Sequence, residues 1–188
     1  MIIVQYPQQV DAQMLRKQIL QLENSVWGTG DPKLDNCFPT QPDTYVTSLL
    51  LMEEEQVLCH IVIRRQQLFH KDCRYLVYGL SEVVTHPGFR GQGLGTTLIR
   101  KASLFIEKQG ADLSIFTCKP SLVPFYSQGG WAAVPGACLV GGTKEQPFRS
   151  DRLRLKTMIQ FYSPHAKKHK KDFEKSDIFL ELSPQQLW

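Results

Sequence analysis

Val83-Val84-Thr85-His86-Pro87-Gly88-Phe89-Arg90-Gly91-Gln92-Gly93-Leu94-Gly95 is the stretch on which the reading of this chain turns. A β-branched, apolar run ends at His86-Pro87-Gly88. Beyond it Leu94, Leu98, Ala102, Phe105 and Ile106 recur at helical spacing. The segment therefore reads as a strand, a tight loop and the start of an amphipathic helix. Glycines at 91, 93 and 95 let the backbone approach a ligand closely, since no Cβ intervenes. The helix N-terminus adds unpaired N–H groups and partial positive charge, and Arg90 adds a fixed cation. This combination is a site for a pyrophosphate.

Upstream, Met1 to Tyr6 reads as a strand ended by Pro7, and Asp11 as the cap of a helix. That helix carries Met14, Leu15, Ile19, Leu22 and Val26 at one face and stops at Gly28-Thr29-Gly30-Asp31-Pro32. Residues 31–43 form a loop bordering a cleft. Thr44 to Met52, Val57 to Phe69 and Tyr75 to Thr85 are strand-like and joined by short turns, which implies an antiparallel meander. Downstream, Gly110 sits where a C-terminal left-handed residue belongs, and Leu113 to Cys118 is a further strand. Strand, helix and strand in this order make a right-handed crossover. Ser121 caps a short helix with Pro124 at its third position, and Gly129-Gly130 closes it. Trp131 to Val134 and Leu153 to Tyr162 are the last strand-like runs. Residues 163–177 are a polar, charged loop or insertion, and 178–188 a C-terminal tail. Residues 1–188 read as one domain.

Composition narrows the classes. The net charge of +4 favours anionic ligands without requiring nucleic acid. Five cysteines, an odd number without a CxxC pair, support neither a disulfide scaffold nor a zinc site. No signal peptide or long apolar span is evident, so the expected location is the cytoplasm, with no membrane partner. His165, Lys167, Lys168, His169, Lys170 and Lys171 form a basic cluster. Asp172, Glu174 and Asp177 follow it closely, so it reads as a solvated face and no nucleic-acid partner is expected.

The dinucleotide fingerprint GxGxxG and its repeated βαβ units are missing, and no GKS or GKT follows the loop. The quoted stretch resembles the acyl-CoA motif of the GNAT superfamily of N-acetyltransferases. Phe125-Tyr126-Ser127-Gln128-Gly129-Gly130-Trp131 resembles that superfamily's second motif, (L/F)-Y-x-x-x-G-(F/W). Within the superfamily, the stretch from Cys118 to Tyr126 and the terminal Trp188 are similar to aminoglycoside 2'-N-acetyltransferases. The resemblance implies an α+β fold, with a mostly antiparallel six- to seven-stranded sheet flanked by about four helices. It implies acetyl-CoA as co-substrate, no metal, a small-molecule primary amine as acceptor, and a monomer or homodimer.

The same resemblance implies roles by position. Gly91, Gln92, Gly93, Leu94, Gly95 and Thr96 wrap the pyrophosphate beside Arg90. Val83, Val84 and Thr85 carry the pantetheine arm on their strand. Tyr126 protonates the departing thiolate. The positions where relatives place a general base hold Gly79 and Ser81, which are not bases. Glu82 is adjacent, but alternation aims it at the opposite face unless a bulge re-aims it. Glu82, or water passing Ser81, is therefore the expected base. Trp188 and its α-carboxylate are expected to fold back as a wall for the cationic acceptor. The alternatives are a non-catalytic acyl-CoA-binding module and an acetyltransferase acting on peptide amines.

Overall fold

A computed structural model describes residues 2–7, 13–27 and 47–188. In chain order the strands and helices are β1 (Ile2–Pro7), α1 (Gln13–Trp27), β2 (Thr47–Glu53), β3 (Gln56–His70), β4 (Cys73–Thr85) and α2 (Leu94–Lys108). They continue with β5 (Leu113–Cys118), α3 (Val123–Ser127), β6 (Ala132–Ala133), β7 (Cys138–Gly142), β8 (Pro147–Arg149), β9 (Lys156–Phe161), α4 (Pro164–Lys168) and β10 (Asp177–Phe179). The expected cap at Asp11, the stop at Gly28–Pro32 and the loop at 31–43 lie outside the described residues.

The main sheet has seven strands in the order β1-β2-β3-β4-β5-β9-β6. Only β4 and β5 run parallel, so the sheet is mixed and mostly antiparallel, as the sequence implied. A second sheet, β10-β7-β8, was not foreseen. Its strands are three to five residues long, too short for a period-2 signal. Residues 163–177 are more than a polar loop: α4 and a turn of 3-10 helix bury Ala166 and Phe173, and Phe173 packs against His70, Tyr75 and Phe161.

Two cores flank the meander. Ile19 and Leu22 of α1 pack on Leu50, Met52, Val57 and Val84. On α2, Leu94, Leu98, Ile99, Ala102 and Ile106 join the larger cluster with Leu49, Leu58, Ile61, Leu113 and Ile115. Gly110 adopts φ 74°, the left-handed residue expected after α2. Helix α3 begins differently from expectation: a 3-10 turn at Pro120–Leu122 precedes it, and Ser121 is not a cap.

The parallel pairing of β4 with β5 is confined to Val77↔Leu113 and Tyr78↔Ser114. Beyond it the strands diverge into a fork. Thr117 of β5 donates both its N–H and its hydroxyl to one oxygen of the Trp188 α-carboxylate, each at 2.7 Å. The Trp188 ring lies over Gly79, where any added Cβ would overlap it. Gly79→Ala should therefore cost about 1–3 kcal/mol in denaturant unfolding through overpacking. The cost should shrink in a Trp188→Ala background, because the two positions are in direct contact.

Candidate active site

The loop from Arg90 to Gly95 keeps its backbone open. Gly91 and Gly93 have φ of 78° and 76°, and a Cβ on either would meet no atom within 4 Å. Gly93 is the N-cap of α2 and supplies no side-chain hydrogen bond. The first-turn N–H groups of a helix have no partner inside the helix. They therefore face the open side of the loop, together with exposed Gln92 and half-buried Thr96. Arg90 is exposed and reaches back, Nε to the Thr85 carbonyl at 3.4 Å. The donor set and the empty space fit a pyrophosphate, and the residues present fit coenzyme A in kind.

Gly95 serves another purpose. A Cβ there would lie 3.0 Å from Thr85 Oγ1 and 3.4 Å from the Phe125 ring, so its smallness sets the approach of α2 to β4 and α3. The same contact brings the loop, the end of β4 and Tyr126 together. Tyr126 is buried, edge-on to Phe116 and Phe125 at 4.8 and 5.0 Å between ring centroids. Its hydroxyl makes no hydrogen bond to another described residue. Burial, then nearby Cys118, push its pKa upward, so the phenol stays protonated and able to donate. Cys118 is buried at the end of β5, and burial raises its thiol to about 11, so it holds little thiolate for a nucleophilic role.

Glu82 lies in an irregular stretch of β4. Between His60↔Val84 and Val62↔Ser81, β3 advances two residues while β4 advances three. The extra residue is a bulge, and Glu82 in it takes φ 52°. Simple alternation fails at this point, as the sequence reading allowed. The carboxylate of Glu82 meets Arg64 Nη2 at 3.1 Å, and Arg64 Nε donates to Ser81 Oγ at 2.9 Å. Burial raises the pKa of Glu82, as does the Glu23 carboxylate, against the lowering effect of Arg64 and His60. The side chain keeps 35 % exposure, so water tempers this rise.

Val83 and Thr85 are half-buried and Val84 is buried beside α1. Trp188 is buried in the fork, over Gly79 rather than at the surface. Sequence reading missed Glu23, His60 and Arg64, which gather around Glu82. The one signal was His60 itself, a polar residue inside the apolar run Val57 to Ile63. Its partner on α1 could not be read from spacing.

Residues 16–134, more than half of the chain, match the family described as Acetyltransferase (GNAT) domain, and the chain belongs to that family. A Drosophila melanogaster protein described as a probable glucosamine 6-phosphate N-acetyltransferase is 35% identical over 57 residues. That match covers 30% of this chain and 26% of the relative, so it spans about a quarter of that protein. Among solved structures, a GNAT family acetyltransferase from Brucella melitensis in complex with acetyl-CoA superposes with a TM-score of 0.57. It is 17% identical, over 87% of this chain and 90% of that one. An acyl-CoA N-acyltransferase from Pseudomonas aeruginosa gives 0.55 at 18% identity, over 85% and 98%. These likenesses show the fold.

Gly93→Ala places a Cβ in the left-handed region and should cost about 1–2 kcal/mol in denaturant unfolding. Calorimetric titration with coenzyme A should show weaker binding, because the strained N-cap no longer holds the first-turn N–H groups in place.

Proposed function

We propose that this chain transfers an acetyl group from acetyl-CoA to a primary amine of a small molecule by direct attack. The observation that carries this reading is the uncapped glycine loop at the start of α2, lying at the mouth of the β4–β5 fork. Acetyl-CoA supplies the activated acyl group as a thioester. Backbone N–H groups from Gly91 to Thr96, with Arg90, bind its pyrophosphate. The main chain of Val83 and Thr85 aligns the arm along β4. Glu82 takes the proton that an ammonium substrate must lose before it attacks. As the carbon–sulfur bond breaks, the Tyr126 hydroxyl gives its proton to the departing sulfur and takes the second proton that the acylated nitrogen sheds. Ser81, tied to Arg64, and Trp188, seated in the fork, line the acceptor side.

The bulge supports the role of Glu82, since it turns a carboxylate toward solvent while keeping it largely enclosed. The similarity of Cys118 to Tyr126 to aminoglycoside 2'-N-acetyltransferases makes aminoglycosides one acceptor class to test. The short match to a probable glucosamine 6-phosphate N-acetyltransferase makes phosphorylated amino sugars another. Thiol release is measured across a panel holding both classes, polyamines and an N-terminal peptide. Turnover on a small amine is the expected result. Binding of acetyl-CoA without turnover on any of them would favour a non-catalytic module.

Two outcomes follow from the assigned roles. Tyr126→Phe should lower kcat while leaving acetyl-CoA affinity nearly intact, and a loss of binding would make Tyr126 structural. Glu82→Gln should lower kcat/KM by about 10²–10⁴. The base must be ionised, and its pKa lies above the ordinary carboxylate value. Wild-type kcat/KM should therefore fall with decreasing pH earlier than an unperturbed carboxylate would dictate. Glu82→Gln should remove that acid limb.

A further inference from the structure

Beneath the bulge lies a buried polar group that the chemistry above leaves unused. His60 on β3 has no exposed side-chain surface. Its Nδ1 lies 2.9 Å from Glu23 Oε1 on α1, and its Nε2 lies 2.9 Å from Ser48 Oγ on β2. One atom each of Glu23, His60 and Glu82 lie within 4.8 Å of one another. The imidazole is fully enclosed. Its burial costs free energy unless both nitrogens are satisfied, and here both are.

The arrangement is directional. An ionised Glu23 accepts only, so Nδ1 of His60 must carry the hydrogen between them. Nε2 then either accepts from the Ser48 hydroxyl or donates to it. Three elements, α1, β2 and β3, are thus linked by one imidazole directly behind the bulged residue of β4. The charged groups that face Glu82 are Glu23 from α1 and His60 and Arg64 from β3, with Ser81 on its own strand held through Arg64.

We propose that Glu23 and His60 are positioning residues for Glu82, setting the electrostatic field in which its carboxylate takes up and gives back the substrate's proton. The inference rests on Glu82 being the base. The two residues act in opposite senses. The Glu23 carboxylate repels the ionised form of Glu82 and strengthens it as a base, while His60 and Arg64 stabilise that form. Glu23 is the reachable end of the device, with 18 % of its side chain exposed.

Without the charge of Glu23, the repulsion that raises the pKa of Glu82 is gone, and ionisation extends to lower pH. Without His60, an influence that favours the carboxylate is gone, and ionisation is pushed to higher pH. A purely structural pair would lower the rate in both variants without moving either titration.

The test compares Glu23→Gln, Glu23→Asp, His60→Gln and Glu82→Gln in the full chain, each checked by thermal melting. Two readouts are taken: the pH profile of kcat/KM, and the titration of the Glu82 carboxyl by carbon NMR, assigned with Glu82→Gln. The second needs no turnover. In Glu23→Gln both readouts should move to lower pH, with the plateau rate falling roughly tenfold or less. In His60→Gln both should move to higher pH, and Glu23→Asp should restore the wild-type profile. If His60→Gln does not fold, the sign in Glu23→Gln and its rescue by Asp decide the matter. An unmoved Glu82 titration in Glu23→Gln would overturn the inference even if the enzyme is active. A Glu82→Gln variant with undiminished turnover would instead overturn the role of Glu82 as base, and the inference with it.

Discussion

Everything that matters at this site depends on how little β4 and β5 touch. Two paired positions, Val77↔Leu113 and Tyr78↔Ser114, hold two parallel strands together at one end. A longer ladder would close the sheet and leave no gap. The strands are free to part because other contacts support each of them. β4 leans on β3 along eleven paired positions, and β5 on β9 along six. The fork is thus a fault line between two well-hydrogen-bonded halves, and it costs the sheet only a few ladder bonds. Those lost bonds are partly replaced, since Thr117 finds the α-carboxylate of Trp188 where a strand neighbour would have been.

The bulge at Glu82 is the second deviation from regularity, and it falls on the same strand. A non-glycine residue in the left-handed region costs of order 1–3 kcal/mol and persists only where its surroundings over-determine it. Here those surroundings are Arg64, which holds both Glu82 and Ser81, and the β3 pairings on either side. Strand irregularities of this kind re-aim side chains. The partly exposed carboxylate lies with Glu23, His60 and Arg64 on the α1 side of the sheet, the side on which Val84 also packs.

Much of this was legible in the sequence, for identifiable reasons. Long strands with β-branched residues and short turns announced the meander, and the spacing of Leu94, Leu98, Ala102 and Ile106 announced α2. The glycines at 91, 93 and 95 announced a loop whose backbone a ligand can approach closely. The small second sheet was illegible because strands such as Pro147–Arg149 carry too few residues to show a period. The packed character of residues 163–177 was hidden by their lysines, which are exposed while Ala166 and Phe173 do the burying. The grouping of Glu23, His60 and Glu82 was illegible for a deeper reason. It joins residues 37 positions apart through a helix whose rotation only tertiary packing sets.

The start of α2 also bears on how the protein is held together. Gly93 brings no side chain to its own helix, so the first turn depends on solvent to satisfy its N–H groups. An anion seated there would complete the helix in the way a capping residue does in other proteins. Occupancy and folding are then linked by mass action: a ligand at a hundred times its dissociation constant adds about 2.7 kcal/mol to the stability of the folded chain. A co-substrate held there would belong to the architecture as well as to the reaction, and the chain's stability in solution would track how much of it is present.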